Sequence, residues 1–293
     1  MSKVWLITGA SRGLGRSFTQ EALKAGHRVV ATARNAERLA EVASKFGESV
    51  RTVPLDVTNE AQAKNAVEAA IETFGCVDVL VNNAGYGNVY PVEDTSLADF
   101  RAQIETNLFG VIIMTKAVLP HFRERASGHI IQISSIGGRV GPVGRAAYAA
   151  AKFGVEGFSE SLSKEVGPLG IKVTIVEPGG FRTDFAGSST ELREGRKEYD
   201  GTVGAAVRFQ RNYDGKQPGD PVKAAAAVIH IAALADPPLR LLLGSDAYDA
   251  AERHTLEILA SDRKWKDLSV STDYSSGTRT GHNAASTYRV RRR

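Results

Sequence analysis

The chain has one cysteine, Cys76, in 293 residues, so no intrachain disulfide can form. A disulfide-stapled miniature is excluded, and a reducing, cytoplasmic setting is the expectation. The six histidines (27, 121, 129, 230, 254 and 282) are scattered, without the spacing of a metal pair or of a Ser/His/acid triad, so no metal site is expected. Long apolar runs are also missing. Nothing approaches the roughly 18 uninterrupted apolar residues of a membrane span, and the run after Lys3 is too short for a signal-peptide core. A soluble, non-secreted protein with no membrane partner is expected. Charge of one sign is scarce as well: the net charge is +4, and residues 270–293 alone carry five Arg against Asp273. The body is therefore neutral and lacks the basic stripe of a nucleic-acid footprint, so no nucleic-acid partner is expected.

What is present is alternation. Short Val- and Ile-rich runs at residues 4–8, 28–32, 50–54, 77–81, 129–134 and 172–177 read as strands. Helical patterns between them close at Gly26, Gly47 and Gly75, where a left-handed C-terminal residue is wanted. Strand-helix alternation predicts an α/β fold with a doubly wound parallel sheet. Longer helices are expected at about 97–125 and 145–166, and an Ala-rich helix over 222–235 precedes a last strand at 240–243. Between residues 178 and 221 periodicity is lost and aromatics mix with charge and glycine, which predicts a partly helical substrate lid over about 184–221. From residue 269 onward Ser, Thr, Gly, Asn and Arg predominate, a composition that cannot offset ordering entropy. The expected organisation is one domain over 1–268 and a basic, disordered tail over 269–293.

The first strand ends in Thr8-Gly9-Ala10-Ser11-Arg12-Gly13-Leu14-Gly15, and a helix begins at once. Glycines there let the chain turn tightly, let a pyrophosphate approach, and point helix N-terminal amides at it. The spacing departs from the usual Gly-x-Gly-x2-Gly dinucleotide pattern. Tyr148 and Lys152 stand at i and i+4, so both emerge on one helix face. A fixed ammonium beside a phenol stabilises the phenolate and moves a poor acid/base group toward working pH.

These motifs resemble the classical short-chain dehydrogenase/reductase family over about residues 3–185, in the right order. They are the Thr8–Gly15 loop, Asp56, Asn82-Asn83-Ala84-Gly85, Asn107, Ser134-Ser135, Tyr148 with Lys152, and Pro178-Gly179 with Thr183. Ala31-Thr32-Ala33-Arg34 and Asn83-Ala84-Gly85-Tyr86-Gly87 bring it near the 17β-hydroxysteroid and retinol dehydrogenase-like branch. The resemblance implies a single Rossmann-type sheet of about seven strands in the order 3-2-1-4-5-6-7, with the lid after the sixth. It also implies that Tyr148 exchanges a proton with the substrate oxygen while hydride moves to or from the nicotinamide. Ser135 would orient that oxygen, Lys152 would bind the nicotinamide ribose, and Asn107 would hold a water that relays protons. The implied cofactor contacts are Gly9, Ser11, Arg12, Gly13, Leu14, Gly15, Arg34, Asp56, Val57, Asn83, Ala84, Gly85, Tyr148, Lys152, Pro178, Gly179 and Thr183. A homodimer or homotetramer through the two long helices is implied too.

The second strand selects the cofactor. An NAD enzyme places Asp or Glu after it to bind the ribose 2′-hydroxyl. Here that place is Ala33, followed by Arg34, and Arg12 can approach the same point, which predicts NADP(H). The expected reaction is hydride transfer between NADP(H) and a hydrophobic ketone/secondary alcohol pair, with Val89, Tyr90, residues 140–143 and the aromatic lid as walls. The alternative is a catalytically silent NADPH-binding regulator or scaffold. A complete Ser/Tyr/Lys/Asn set argues against it, because a pure sensor needs no proton relay.

Overall fold

A parallel strand covered on both faces is apolar along its whole length. β1 (Val4–Ile7) is buried at every position, with Val4 and Leu6 in the core of one face and Trp5 and Ile7 in that of the other. The structure, a computed structural model, describes residues 2–185, 187 and 189–274. From β1 the chain runs through α1 (Gly13–Lys24), β2 (Arg28–Ala33), α2 (Ala40–Phe46), β3 (Val50–Pro54), α3 (Glu60–Phe74) and β4 (Val79–Asn82). A short β5 (Gly87–Val89) follows, then α4 (Leu97–Ile104), a π turn at Glu105–Phe109, and α5 (Gly110–Arg125). The second half holds β6 (Gly128–Ile133), α6 (Ala146–Val166), β7 (Ile171–Pro178), β8 (Thr190–Leu192), α7 (Ala205–Tyr213), α8 (Pro221–Ala233), β9 (Arg240–Leu243) and α9 (Ser245–Val270).

The main sheet has seven parallel strands in the order β3-β2-β1-β4-β6-β7-β9. With β5 and β8 set aside this is the predicted order. One face is covered by α1 and α8, through Phe18, Ala22, Ala225, Val228 and Ile231. The other is covered by α3, α5 and α6, through Val67, Met114, Val118, Phe122, Leu162 and Val166. The strand order reverses at β1, which has β2 on one side and β4 on the other, and so opens a crevice at the carboxyl ends of the strands.

The helical run Leu97–Arg125 is long and apolar enough to cross a membrane by length and composition. In this fold Met114, Val118 and Phe122 spend that apolar character on the core beneath the sheet. The expected aperiodic segment contains a strand after all: β8 pairs in parallel with β5, Gly87 opposite Thr190. Val89 packs there against Val203 and Val207, so it is not a wall of the substrate cavity. α9 runs to Val270, two residues past the expected end of the domain at residue 268. The chain divides into two units, Met1–Ala251 and Glu252–Arg293, and not at residue 268. In the second unit the helical side chains are exposed apart from a half-buried His254. The Arg-rich residues 275–293 lie outside the described residues.

Candidate active site

The glycine loop is shaped by its backbone. Gly9 and Gly13 take φ of 65° and 55°, values side chains resist. A Cβ on Gly15 would overlap the Gly9 carbonyl oxygen and Asn83 Nδ2, so the turn closes only with glycine there. Thr8 and Asn83 lock it to the end of β4. Thr8 Oγ1 accepts from the amides of Asn83 (2.9 Å) and Ala84 (3.0 Å), and Asn83 Nδ2 donates to the carbonyls of Thr8 (2.9 Å) and Gly9 (3.2 Å). α1 starts at Gly13 with no acidic residue in its first turn and no side-chain cap, so its first N–H groups and positive dipole end are offered to the crevice. This is a cradle for a pyrophosphate.

Gly9, Ser11, Arg12, Gly13, Leu14, Arg34, Asp56, Val57, Asn83, Ala84, Gly85, Pro178, Gly179 and Thr183 all line one cavity of about 490 Å³, and Gly15 lies beneath it. Asp56 Oδ1 accepts from the amide (3.0 Å) and hydroxyl (2.8 Å) of Thr58. The cap of α3 is Asn59 and not Asp56. Arg12, Ala33 and Arg34 share the rim, two guanidiniums with no carboxylate at the end of β2. The residues present fit a dinucleotide, and this rim fits one that carries a 2′-phosphate.

Ser135, Tyr148 and Lys152 meet at the other end of the same cavity. Ser135 follows β6; its Oγ accepts from the Gly137 amide (3.0 Å) and is hydrogen-bonded to the Tyr148 phenol. Lys152, one turn beyond Tyr148 in α6, donates from Nζ to the Ile133 carbonyl (2.8 Å) and lies 5.8 Å from the Tyr148 ring centroid. Burial pushes the Tyr148 phenol above its ordinary pKa, opposed by the Ser135 hydrogen bond and the charge of Arg145. Burial pulls Lys152 down to about 8, opposed by Glu156. Two cations flank the phenol: the Arg145 guanidinium carbon and Lys152 Nζ lie 5.9 Å and 5.8 Å from the ring centroid.

Asn107 is kept away from this group. It sits fully buried in the π turn, outside the cavity lining. Its Oδ1 accepts from the Tyr86 amide (3.1 Å), and its Nδ2 donates to the Tyr86 carbonyl (2.9 Å) and Gln103 Oε1 (2.7 Å). The side chain braces the strand-to-loop segment at Tyr86, and no hydrogen bond joins it to Lys152.

Several lining residues escaped sequence reasoning. Arg145 precedes Tyr148 by three residues, so the helix-face rule that paired Tyr148 with Lys152 would also have found it. Gln210 and Gln217 reach the cavity from α7 and the segment after it, where the sequence shows no period, and Tyr213 lines it as one of the expected lid aromatics. Pro142 and Phe185 line it as expected, whereas Tyr90 faces a separate small hollow and Val143 is exposed. Asp246, from the start of α9, accepts the Gly180 amide (2.7 Å) and fixes the Pro178-Gly179-Gly180 turn.

Comparison with known proteins agrees with this geometry. The family described as short chain dehydrogenase matches residues 3–194. Oxidoreductase BOA17 of Botryotinia fuckeliana is 47% identical over 273 residues, spanning 93% of this chain and 100% of its own. The crystal structure of a short-chain dehydrogenase from Streptomyces avermitilis is 40% identical with a TM-score of 0.87, covering 93% of this chain and 98% of its own. The closed form of a serine dehydrogenase complexed with NADP+ is 31% identical with a TM-score of 0.71, covering 82% and 94%.

Proposed function

The chain belongs to the short-chain dehydrogenase family and is an oxidoreductase of that type, and from this premise we propose that it is an NADP(H)-dependent carbonyl reductase or alcohol dehydrogenase. The observation that carries the reading is the convergence of Ser135, Tyr148 and Lys152 in the cavity that also holds the glycine cradle. When bound, the nicotinamide supplies or takes up the hydride. Tyr148, whose burial keeps the phenol protonated, delivers its proton to the carbonyl oxygen in reduction and takes one from the hydroxyl in oxidation. Ser135 gives its single hydroxyl proton to the same oxygen, while its Oγ stays oriented by the Gly137 amide. Lys152 is anchored by the Ile133 carbonyl, with donors left for ribose hydroxyls. Asn107 is a positioning residue that holds the Tyr86 backbone. Arg12 and Arg34 would bind the 2′-phosphate, while Ala33 leaves out the carboxylate that would repel it. Pro142, Phe185 and Tyr213 favour an apolar body on a ketone or secondary alcohol. For self-association, the large apolar residues Phe109 and Phe153, each 46% exposed, support a homo-oligomer built on the long helices.

The test is oxidation of NADPH and of NADH by the purified protein against a panel of aromatic, aliphatic and steroidal ketones, beside Tyr148→Phe. Turnover should prefer NADPH and fall by about 10²–10⁴-fold in the variant, with nucleotide affinity unchanged. Undiminished turnover in Tyr148→Phe would overturn the assignment.

A further inference from the structure

A guanidinium placed in a substrate cavity should have an acidic partner, and among the described residues Arg145 has none. Burial lowers its pKa, and Tyr148 is the one charge that opposes the effect. Asp56 and Asp184 line the same cavity, yet among the described residues no carboxylate forms an ion pair with Arg145. Its one hydrogen bond among them runs from Nη2 to the neutral Gln210 Oε1, at 3.2 Å. A guanidinium has five N–H donors, so most of this fork is unused.

The surroundings keep the head in place. Its carbon lies 5.9 Å from the Tyr148 ring centroid. A Cβ on Gly87 would stand 3.1 Å from Arg145 Nη1 and 3.3 Å from Phe185 Cζ, so glycine in β5 leaves the space that the head and the ring occupy. Arg145 is also the N-cap residue of α6, whose first turn has no acidic residue and whose cap makes no side-chain bond. The helix dipole therefore adds positive potential beside the guanidinium. Further along the wall, Gln217 is 1% exposed and both its amide atoms are without a partner among the described residues, which favours a ligand that brings polar atoms with it.

We propose that the substrate is an oxo acid or hydroxy acid, whose carboxylate is bound by Arg145 with Gln210 and the N-terminus of α6. Its reacting carbonyl, a short spacer away, lies at Tyr148. This deepens the reductase reading and rests on it for the chemistry. A carboxylate matches the fork in two parallel hydrogen bonds, and a methyl ester of the same compound cannot. Arg145 is a specificity residue here: it also acts on the Tyr148 phenol, so loss of rate in a variant would not separate the two roles. The test must compare acid with ester.

The experiment measures, by calorimetry with NADP+ present, the affinity of aryl oxo acids of increasing spacer length and of their methyl esters. It is run on wild type, Arg145→Gln, Arg145→Lys and Tyr148→Phe. At the best spacer the wild type should bind the acid at least about 10-fold more tightly than the ester, in line with a charge-assisted pair. Arg145→Gln should lose that ratio while its ester affinity stays within about 3-fold, Arg145→Lys should retain part of it, and Tyr148→Phe should retain it in full. The proposal fails if no acid binds better than its ester in the wild type, or if the ratio survives Arg145→Gln. Equal losses for acid and ester in Arg145→Gln would also overturn it, since that is the mark of a structural role. Acid binding with the expected ratio but without NADPH-linked turnover would refute the reductase reading alone; turnover without the ratio would refute the carboxylate site alone.

Discussion

The two ends of the cavity are built in opposite ways. At the glycine loop the buried polar side chains are consumed by backbone: Thr8 and Asn83 tie β1 to β4 and Asn107 ties Tyr86 to the π turn, which leaves helix amides and the rim guanidiniums of Arg12 and Arg34 for a ligand. At the lid end the polar groups are idle, with Gln217 unpartnered at both amide atoms and Arg145 held by one neutral neighbour. The first end is a rigid receptacle for a ligand whose shape does not vary; the second is wall whose hydrogen bonds are completed by a ligand. Satisfied buried groups stabilise, and unsatisfied ones cost about 1–3 kcal/mol each. The unpaired groups therefore lie at the end where the ligand varies, and that end gives up stability.

Gly15→Ala would strike hardest at the rigid end. The added methyl overlaps the Gly9 carbonyl, so a loss of about 3 kcal/mol or more in stability and collapse of NADPH affinity are expected. Normal binding and an unchanged unfolding curve would show that the loop adapts, and the contrast would weaken. Asn107→Ala leaves the Tyr86 amide and carbonyl and the Gln103 oxygen without their partner. It should cost about 2–3 kcal/mol in denaturant unfolding. Ala33→Asp sets a carboxylate beside the rim arginines and should move the NADPH/NADH ratio of kcat/KM toward NADH by about 10–100-fold. A ratio that stays put would remove Ala33 and Arg34 from cofactor choice. Gln217→Met, at the opposite end, removes an amide that is buried without partners; stability should hold or rise by about 1 kcal/mol, the reverse in sign of Asn107→Ala. The smallest effect is that of pH. Lys152 has its pKa lowered to about 8, so its positive charge is present below that value and is lost as pH rises through it. Reduction at saturating NADPH should therefore decline above pH of about 8, and a profile flat through that region would take Lys152 out of the working set.

Much of the site was legible before any coordinates, at both ends of the cavity. Glycines at a strand-helix junction and a Tyr/Lys pair at i and i+4 have their meaning fixed by local geometry, and the structure puts them where that geometry requires. Arg145 was readable by the same spacing and was passed over because a lone arginine has no local meaning. For Asn107 the motif gave the position, and the structure adds that the π turn directs its side-chain amide to Tyr86; a register shift inside a helix leaves no mark in residue spacing. The β5–β8 pairing was invisible because three-residue strands at a sequence separation of about one hundred residues have no period of their own.

By itself, the sequence determined the strand-helix alternation, the parallel sheet, the glycine cradle and the shared helix face of Tyr148 and Lys152, because each follows from side-chain period, turn chemistry or handedness acting over a few residues, while the strand order came from the family resemblance. Only the tertiary structure decided that Arg145 joins Lys152 beside the phenol, which side chains of the lid reach the cavity, and which buried amides stay unpaired among the described residues. Those outcomes depend on surfaces that come together from residues far apart in the chain, and burial, which sets the cost of an unpartnered polar group, exists only once they have met.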